Sequence, residues 1–249
     1  ANMAADVQNG SASRYNQTLS WFNAGVGGPV IPGKLFFYGS YYRPERSRDN
    51  RSNLYGELPD FNSTRNEGYG KLTYSPTSQI LINGSYRFSQ REDTSSLFGQ
   101  AAAATTGTGY ASEQRIFTMD GSWIINARSF ASFKFTNFQN PNVGRPDYVS
   151  DATVSTTPGA RLDIANLDKM GLLTVPSPLT GPDAANAFFQ TYIDRYGYVS
   201  QTTGLKTGGG VVGYGTQFDN DDFYRTSWQV AYNVNLGSTV IHDLHFGYQ

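Results

Sequence analysis

The 249-residue chain contains no cysteine, which excludes disulfides, thiolate metal sites and cysteine nucleophiles. Charged residues are also scarce, at 16% against about 25% in an average globular chain. The formal net charge of -1 leaves no basic excess, so we expect no nucleic-acid partner. No apolar run is long enough for a membrane helix, and the opening "ANMAADVQNGSASR" lacks the basic and apolar regions of a signal peptide.

Aromatic residues and glycine are abundant instead. Aromatic residues make up 14% of the chain, with 17 Tyr and 16 Phe beside 27 Gly. The mean hydropathy of -0.46 is that of a polar chain. A membrane β-barrel remains compatible with that value, because a barrel strand exposes only alternate residues to lipid.

Alternation of apolar and polar residues is the main structural signal. In "QILINGSYRF", Ile80, Ile82, Tyr86 and Phe88 fall on one face of a strand, opposite residues that include Arg87. A half-buried strand of a soluble sandwich and a strand of a membrane barrel both show this pattern. Related patterns predict eight strands, within residues 18–26, 35–42, 68–74, 79–88, 117–125, 131–136, 227–236 and 239–248.

The connections between these strands alternate strictly between short and long. The short ones are "GGPVIPGK", "SPTS", "NAR" and "NLGS", and the long ones are residues 46–66, 91–112 and 140–222. Outer-membrane barrels have this asymmetry, with short periplasmic turns and long extracellular loops. The sequence therefore predicts an all-β fold, an antiparallel transmembrane β-barrel segment, with residues 1–249 forming part of one barrel domain.

The longest loop, at about 140–222, is expected to be ordered and partly helical. Pro182 is typical of a helix start and Gly197 of a stop. Phe189, Ile193 and Tyr196 fall on one helical stripe between them. These features predict a short helix packed over the barrel mouth, in a loop of functional importance.

Aromatic residues cluster near the ends of the predicted strands. They lie on the apolar face, where amphipathic rings favour the boundary between lipid and water. The alternative is the ordinary core of a soluble sandwich. The set consists of Tyr74, Tyr86, Phe88, Trp123, Tyr232 and Tyr248.

Four charged residues project to the polar face of their strands and are the candidate ligand-binding residues: Lys71, Arg87, Asp120 and Lys134. In a barrel they would line a channel or contact a plug. The alternative is a set of salt bridges between neighbouring strands. With Trp123 and Trp228 expected to face lipid, Arg87 and Lys134 are expected to face the lumen.

Metal and catalytic sites have little support. Asp219, Asp221 and Asp222 form a weak calcium candidate that lacks the glycine and distal glutamate of a known calcium loop, so a solvated loop end is favoured. His242 and His245 are expected on opposite faces of a strand. No nucleophile, base and orienting group can be assembled, so we expect no enzyme activity and no cofactor.

Several segments, in order, resemble TonB-dependent outer-membrane receptors of the Oar-like type. "GGPVIPGKLFFYGSYY" resembles an early barrel hairpin of that family, and "GYGKLTYSPTSQILINGSYRF" resembles the hairpin that follows. "LDIANLDKMG", "GPDAANAFFQTYIDRYGY" and "FYRTSWQVAYNV" are similar to its large extracellular loop and returning strand. The resemblance covers about residues 15–249.

The resemblance implies a bacterial outer-membrane barrel of about 22 strands, closed by a plug. It also implies a carboxypeptidase-regulatory-like N-terminal domain, and uptake of a bulky ligand with energy from the TonB complex. The chain shows about eight strands, without a plug or TonB box, and ends within a strand at Gln249. We therefore expect a fragment of such a receptor, which would contact the TonB complex through missing parts of the chain.

Two other functions stay open. One is a structural or adhesive anchor in the outer membrane that presents binding loops, and the other is a soluble carbohydrate-binding β protein. Outer-membrane lipid and lipopolysaccharide are the expected partners in the barrel interpretation. The basic segment "YYRPERSRDNR" places Arg43, Arg46, Arg48 and Arg51 near the outer rim, where they would meet acidic sugars; a solvated loop is the alternative.

Overall fold

A computed structural model describes residues 16–96, 98–149, 164–177, 184–237 and 242–249. Long antiparallel strands dominate it, and the all-β prediction is confirmed. None of the helices in these residues is long and apolar enough to cross a membrane.

Seven strands form the first part of the chain, and the first six of them pair consecutively as antiparallel neighbours. They are β1 (Gln17–Ile31), β2 (Leu35–Arg48), β3 (Phe61–Thr77), β4 (Ile80–Thr94), β5 (Thr108–Asn126), β6 (Ser129–Asn140) and the short β7 (Asn142–Pro146). A 3-10 helix, Ala104–Thr106, lies between β4 and β5.

Short elements fill the long segment that follows. They are a 3-10 helix (Ile164–Met170), β8 (Leu172–Thr174), α1 (Ala184–Tyr196), β9 (Tyr198–Val199), β10 (Lys206–Thr207), β11 (Val211–Gly213) and β12 (Asp219–Asn220). Two long strands, β13 (Phe223–Leu236) and β14 (His242–Tyr248), complete the described chain.

The eight principal strands pair in the order β1-β2-β3-β4-β5-β6-β13-β14, and every pair is antiparallel. The described part of the sheet is open, because β1 and β14 lie at its two ends and do not pair with each other. Two small strands extend it locally, since β7 pairs with both β5 and β12. The predicted number of long strands and their antiparallel arrangement are confirmed.

Short and long connections alternate as predicted. Residues 32–34, 78–79 and 127–128 are tight turns, whereas 49–60, 95–107 and 141–222 are the long links. In the first turn Gly33 has a φ of +74°, a conformation that L side chains rarely adopt, and the Lys34 amide donates to the Ile31 carbonyl at 3.0 Å. All the tight turns therefore lie at one end of the sheet and the long links at the other.

The predicted helix is present as α1, and Gly197 follows its last residue. Pro182 lies outside the described residues. Ile193 and Tyr196 are buried, and Phe189 is half-buried. The amphipathic stripe read from the sequence is therefore confirmed.

Candidate functional site

The strand register divides the sheet into two chemically different faces, because residues paired across neighbouring strands lie on the same face. One row crosses six neighbouring strands and defines the apolar face: Phe37, Leu72, Gly84, Met119, Phe135 and Trp228. The row next to it defines the polar face: Thr73, Asn83, Asp120, Lys134 and Gln229. The predicted alternation thus extends coherently from strand to strand.

The apolar face is uncovered in the part of the chain that the structure describes. Trp123 and Trp228 are each 51% exposed, and Leu72 is 54% exposed. In the described chain, the clustered buried core lies among the long links and not beneath the sheet. Contiguous apolar surfaces of this kind mark contact with a membrane or another protein.

An apolar band of limited height runs along this face. On β4 it extends from Ile80 to Phe88, about 26 Å at roughly 3.3 Å per residue. Transmembrane strands have about 9–11 residues and are tilted, so the band has about the length of one such strand. Gln90 and Glu92 continue the same face towards the long links.

Ion pairs begin where the band ends. Arg43 pairs with Glu45 at 2.8 Å, Arg115 pairs with Glu113, and Arg145 pairs with Glu92. All six side chains lie on the apolar face beside or above the band in the register. We call this border the charged rim.

The aromatic residues predicted on the apolar face all occupy it: Tyr74, Tyr86, Phe88, Trp123, Tyr232 and Tyr248. Tyr248 also stacks on Trp228, with ring centroids 4.9 Å apart. Arg87 and Lys134 lie on the opposite face from Trp123 and Trp228. That separation of the tryptophans from the two cations is confirmed.

Two of the four candidate residues, Asp120 and Lys134, lie in one row of the polar face, and hydrogen bonds connect Asp120 to the strands before it. The Thr73 hydroxyl donates to Asn83 Oδ1 at 2.9 Å, and Asn83 Nδ2 donates to Asp120 Oδ2 at 2.9 Å. Lys134 lies opposite Asp120 in the register. The row places one carboxylate and one ammonium group level with the middle of the apolar band, on the opposite face of the sheet.

The other two candidates lie closer to the long links. Arg87 donates to Glu67 at 3.1 Å, and Arg65 donates to the same carboxylate at 3.0 Å. For Arg87 the structure therefore shows a salt bridge between neighbouring strands. Lys71 lies between Tyr38 and Ser85 in the register.

The long links fold together into one unit, which we call the cap. Its core consists of Val175, Ile193, Tyr196 and Val212. Residues 49–60 enter it through the buried Asn53, whose Nδ2 donates to the carbonyls of Gly99 at 2.9 Å and Ala102 at 2.6 Å. The cap therefore combines all three long links, and sequence inspection had singled out only the third.

Tyr55 ties the first link to α1. Its hydroxyl donates to the carbonyl oxygen of Tyr196 at 3.1 Å, and its ring meets that of Tyr198 edge-on with centroids 5.5 Å apart. Burial, with a smaller contribution from Tyr198, raises the pKa of Tyr55 from 10.0 to about 12. The folded cap thus favours the neutral form of this phenol.

Glycines make the cap compact. A Cβ on Gly208 would lie 1.6 Å from the carbonyl oxygen of Pro176, and one on Gly210 would lie 2.3 Å from the Tyr55 hydroxyl. The "GLKTGGG" segment thus packs closely against two other parts of the cap. A glycine-rich sequence of this kind is typical of a flexible loop, but here the glycines allow close contact with Pro176 and Tyr55.

The three aspartates of the calcium candidate are not gathered around one point. Asp219 lies in β12, the Asp221 amide and carbonyl bond to Asn142, and Asp222 accepts a hydrogen bond from the Tyr224 hydroxyl at 3.4 Å. Within the described ranges no group of three or more His, Cys, Asp or Glu side chains is arranged to hold a metal ion. His242 and His245 lie on opposite faces of β14, as predicted.

The basic segment does not form one surface. Arg43 lies on the apolar face, whereas Arg46 and Arg48 lie on the polar face over the Phe61 ring, at 5.7 and 5.0 Å from its centroid. Arg51 is in the link that follows β2. The four arginines therefore do not form one binding site.

A groove beside the charged rim was missed by the sequence analysis. It has a volume of about 740 Å³ and lies on the apolar face above the band, between strands β3–β5 and the short strands β7 and β12. Its polar lining includes Thr64, Asn66, Gln90, Asn142 and Asn220. No sequence pattern revealed it, because β7 and β12 are too short to show alternation.

No protein-family profile matches this chain, and no curated protein or solved structure shows a significant similarity to it.

Proposed function

We propose that this chain forms part of the outer-membrane barrel of a TonB-dependent receptor, for ligand capture and energy-coupled transport across the bacterial outer membrane. The observation that carries the proposal is the uncovered apolar band, which ends at the charged rim. In this proposal the apolar face meets lipid and the polar face meets the lumen. The remaining strands, the plug and the TonB contact belong to other parts of the receptor.

Hydration energetics favour lipid over water as the neighbour of the band. Complete burial of a fully exposed large apolar side chain gains roughly 1.5–3 kcal/mol, so a half-exposed side chain gains about half of that on transfer to lipid. Trp228, Val230 and Phe246 are between 50% and 57% exposed and adjoin one another across β13 and β14. A bilayer satisfies this whole surface without a second protein layer.

The arrangement of the connections also supports a barrel wall. Tight turns at one end and a cap built from all the long links at the other match the periplasmic and extracellular ends of such barrels. The cap then lies outside the cell, where a bulky ligand arrives. Lys71, Arg87, Asp120 and Lys134 are the lumen-side residues proposed to contact the ligand or a plug.

Single-cysteine labelling tests the assignment of the two faces. Because the chain has no native cysteine, only the introduced residue reacts. Thr118→Cys and Asp120→Cys should react with a water-soluble maleimide when the chain is in lipid vesicles. Phe117→Cys and Met119→Cys should react much more slowly, because lipid covers them. Equal reactivity of both pairs, or a chain that stays in solution without detergent or lipid, would contradict the proposal.

A structural or adhesive surface anchor is the second candidate, and the folded cap favours it. The buried Ile193 and Val175 show that the cap has its own core, so it can present a fixed binding surface. Comparing strains with and without TonB separates the two functions. A receptor loses ligand uptake when TonB is removed, whereas an anchor retains cell-surface adhesion.

A further inference from the structure

The groove beside the charged rim, which we call the rim groove, has a distinctive polar lining. It combines four amide residues, Asn66, Gln90, Asn142 and Asn220, with charged residues of both signs: Arg91, Glu92, Glu113, Arg145 and Asp222. Ala111, Pro141 and Val143 add apolar patches between them. Amide groups together with small apolar patches suit sugar rings, which present hydroxyl groups and C–H faces.

The cations around the rim groove are already paired with carboxylates. Arg145 pairs with Glu92 and Arg115 pairs with Glu113. Arg91 donates two hydrogen bonds to Asp93, at 2.6 and 3.0 Å. A phosphate group would therefore have to compete with a carboxylate for each arginine, whereas an uncharged sugar needs none of them.

The rim groove continues directly into the apolar band. Gln90 follows Phe88 on the same face of β4, and Glu113 precedes Arg115 and Phe117 on the same face of β5. A molecule with a polar head in the groove and an apolar tail on the band would use both surfaces. Its volume of about 740 Å³ lies within the usual range of small-ligand sites.

We propose that the rim groove binds the uncharged sugar headgroup of a membrane glycolipid, whose acyl chains lie along the apolar band. This inference rests on the proposed function, since it requires the apolar face to meet lipid. It places the lipid contact at the rim groove and not at the basic segment of β2. The glycolipid would fix the depth of the barrel wall in the membrane.

Competitive lipid capture tests this assignment. The full chain is reconstituted in phosphatidylcholine vesicles that hold equal small fractions of diglucosyl diacylglycerol and phosphatidylglycerol. It is then extracted in a sugar-free amine-oxide detergent, and the retained lipids are counted by mass spectrometry. We expect the diglucosyl lipid on the protein at about tenfold above its fraction in the vesicles, equivalent to roughly 1.4 kcal/mol.

Two matched variants locate the binding. Ala111→Trp fills the groove floor and should abolish the enrichment, whereas Ala24→Trp, on the same face of β1 and outside the groove, should preserve it. Asn66→Ala combined with Asn220→Ala removes two amides without added bulk and should also abolish it. Enrichment that survives in both groove variants would overturn the proposal, as would equal retention of phosphatidylglycerol.

Two further measurements separate the remaining explanations. Excess free maltose should leave the bound glycolipid in place, and its complete displacement would assign the groove to soluble sugars and overturn the lipid assignment. Flotation of the chain with plain phosphatidylcholine vesicles is measured in parallel. A chain that does not float contradicts the proposed function, whereas a chain that floats without glycolipid enrichment contradicts only this inference.

Discussion

The sheet and the cap place their apolar residues in opposite ways. In the cap, Val175 and Ile193 are 0% and 1% exposed, and polar groups such as Asn53 satisfy backbone carbonyls around them. In the sheet, Trp228 and Leu72 are more than half exposed on a face that nothing in the described chain covers. The cap therefore buries its apolar side chains within a core of its own. The sheet leaves its apolar side chains exposed on one face.

The largest expected difference between the two regions is the loss of stability when one large apolar side chain in each is shortened to alanine. Ile193→Ala should destabilise the cap by about 2–5 kcal/mol, because it leaves a cavity in a closely packed core. Leu72→Ala should cost the sheet much less in lipid, because fluid acyl chains fill the space that the side chain leaves. Hydrogen exchange of the protein in vesicles measures both, in residues 164–177 and 184–213 for the cap and in β3 for the sheet.

The same pair of variants can contradict the proposed difference between the cap and the sheet. A cost for Leu72→Ala as large as that for Ile193→Ala would mean that protein, not lipid, packs on the apolar face. Alanine is a good helix former, so the cost at Ile193 reports lost packing and not a weakened helix.

A charge placed on the apolar face should have the next largest effect. Met119→Arg should destabilise the protein in vesicles by about 2–4 kcal/mol, the cost of arginine near the bilayer midplane on the lipid face of a barrel. Thr118→Arg, one residue away on the polar face, should cost far less because its guanidinium meets water. Urea unfolding in lipid vesicles, followed by tryptophan fluorescence, gives both values; similar costs would remove the distinction between the faces.

Sequence reasoning succeeded where side chains follow the period of a strand. From Ile82 to Phe88, apolar residues and one glycine alternate with polar residues, so the strand and its faces were predicted correctly. The strands continue beyond those segments, as in "RPERSR" at the end of β2. There the backbone hydrogen-bond ladder maintains the strand, and side chains that meet water on both faces carry no alternation.

The cap and the rim groove could not be predicted from the sequence, for a different reason. The bond from Tyr55 to Tyr196 and the Asn53 bonds to Gly99 and Ala102 join segments far apart in the chain. Such contacts have no local periodicity, so a single sequence does not reveal them. The helix stripe of Ile193 and Tyr196 was predictable, but its partner from the first link was not.

Alkaline pH should produce the smallest and most local effect. The folded cap holds the pKa of Tyr55 at about 12, above its ordinary value of 10.0. Below about pH 10 the phenol is neutral in both states, so this contribution to stability is fully present. As the pH rises from 10 to 12 the unfolded cap ionises more readily than the folded one, and that stability is lost.

Hydrogen exchange of the cap at a series of pH values up to 12 measures this loss, with Tyr55→Phe as the matched control. The variant lacks the bond to the Tyr196 carbonyl, so its cap should be less stable by about 0.5–1.5 kcal/mol at neutral pH. Its stability should also fall less steeply above pH 10, because no phenol remains at that position. Parallel pH profiles of the two proteins would show that Tyr55 ionises freely, and would contradict the buried contact between the first link and α1.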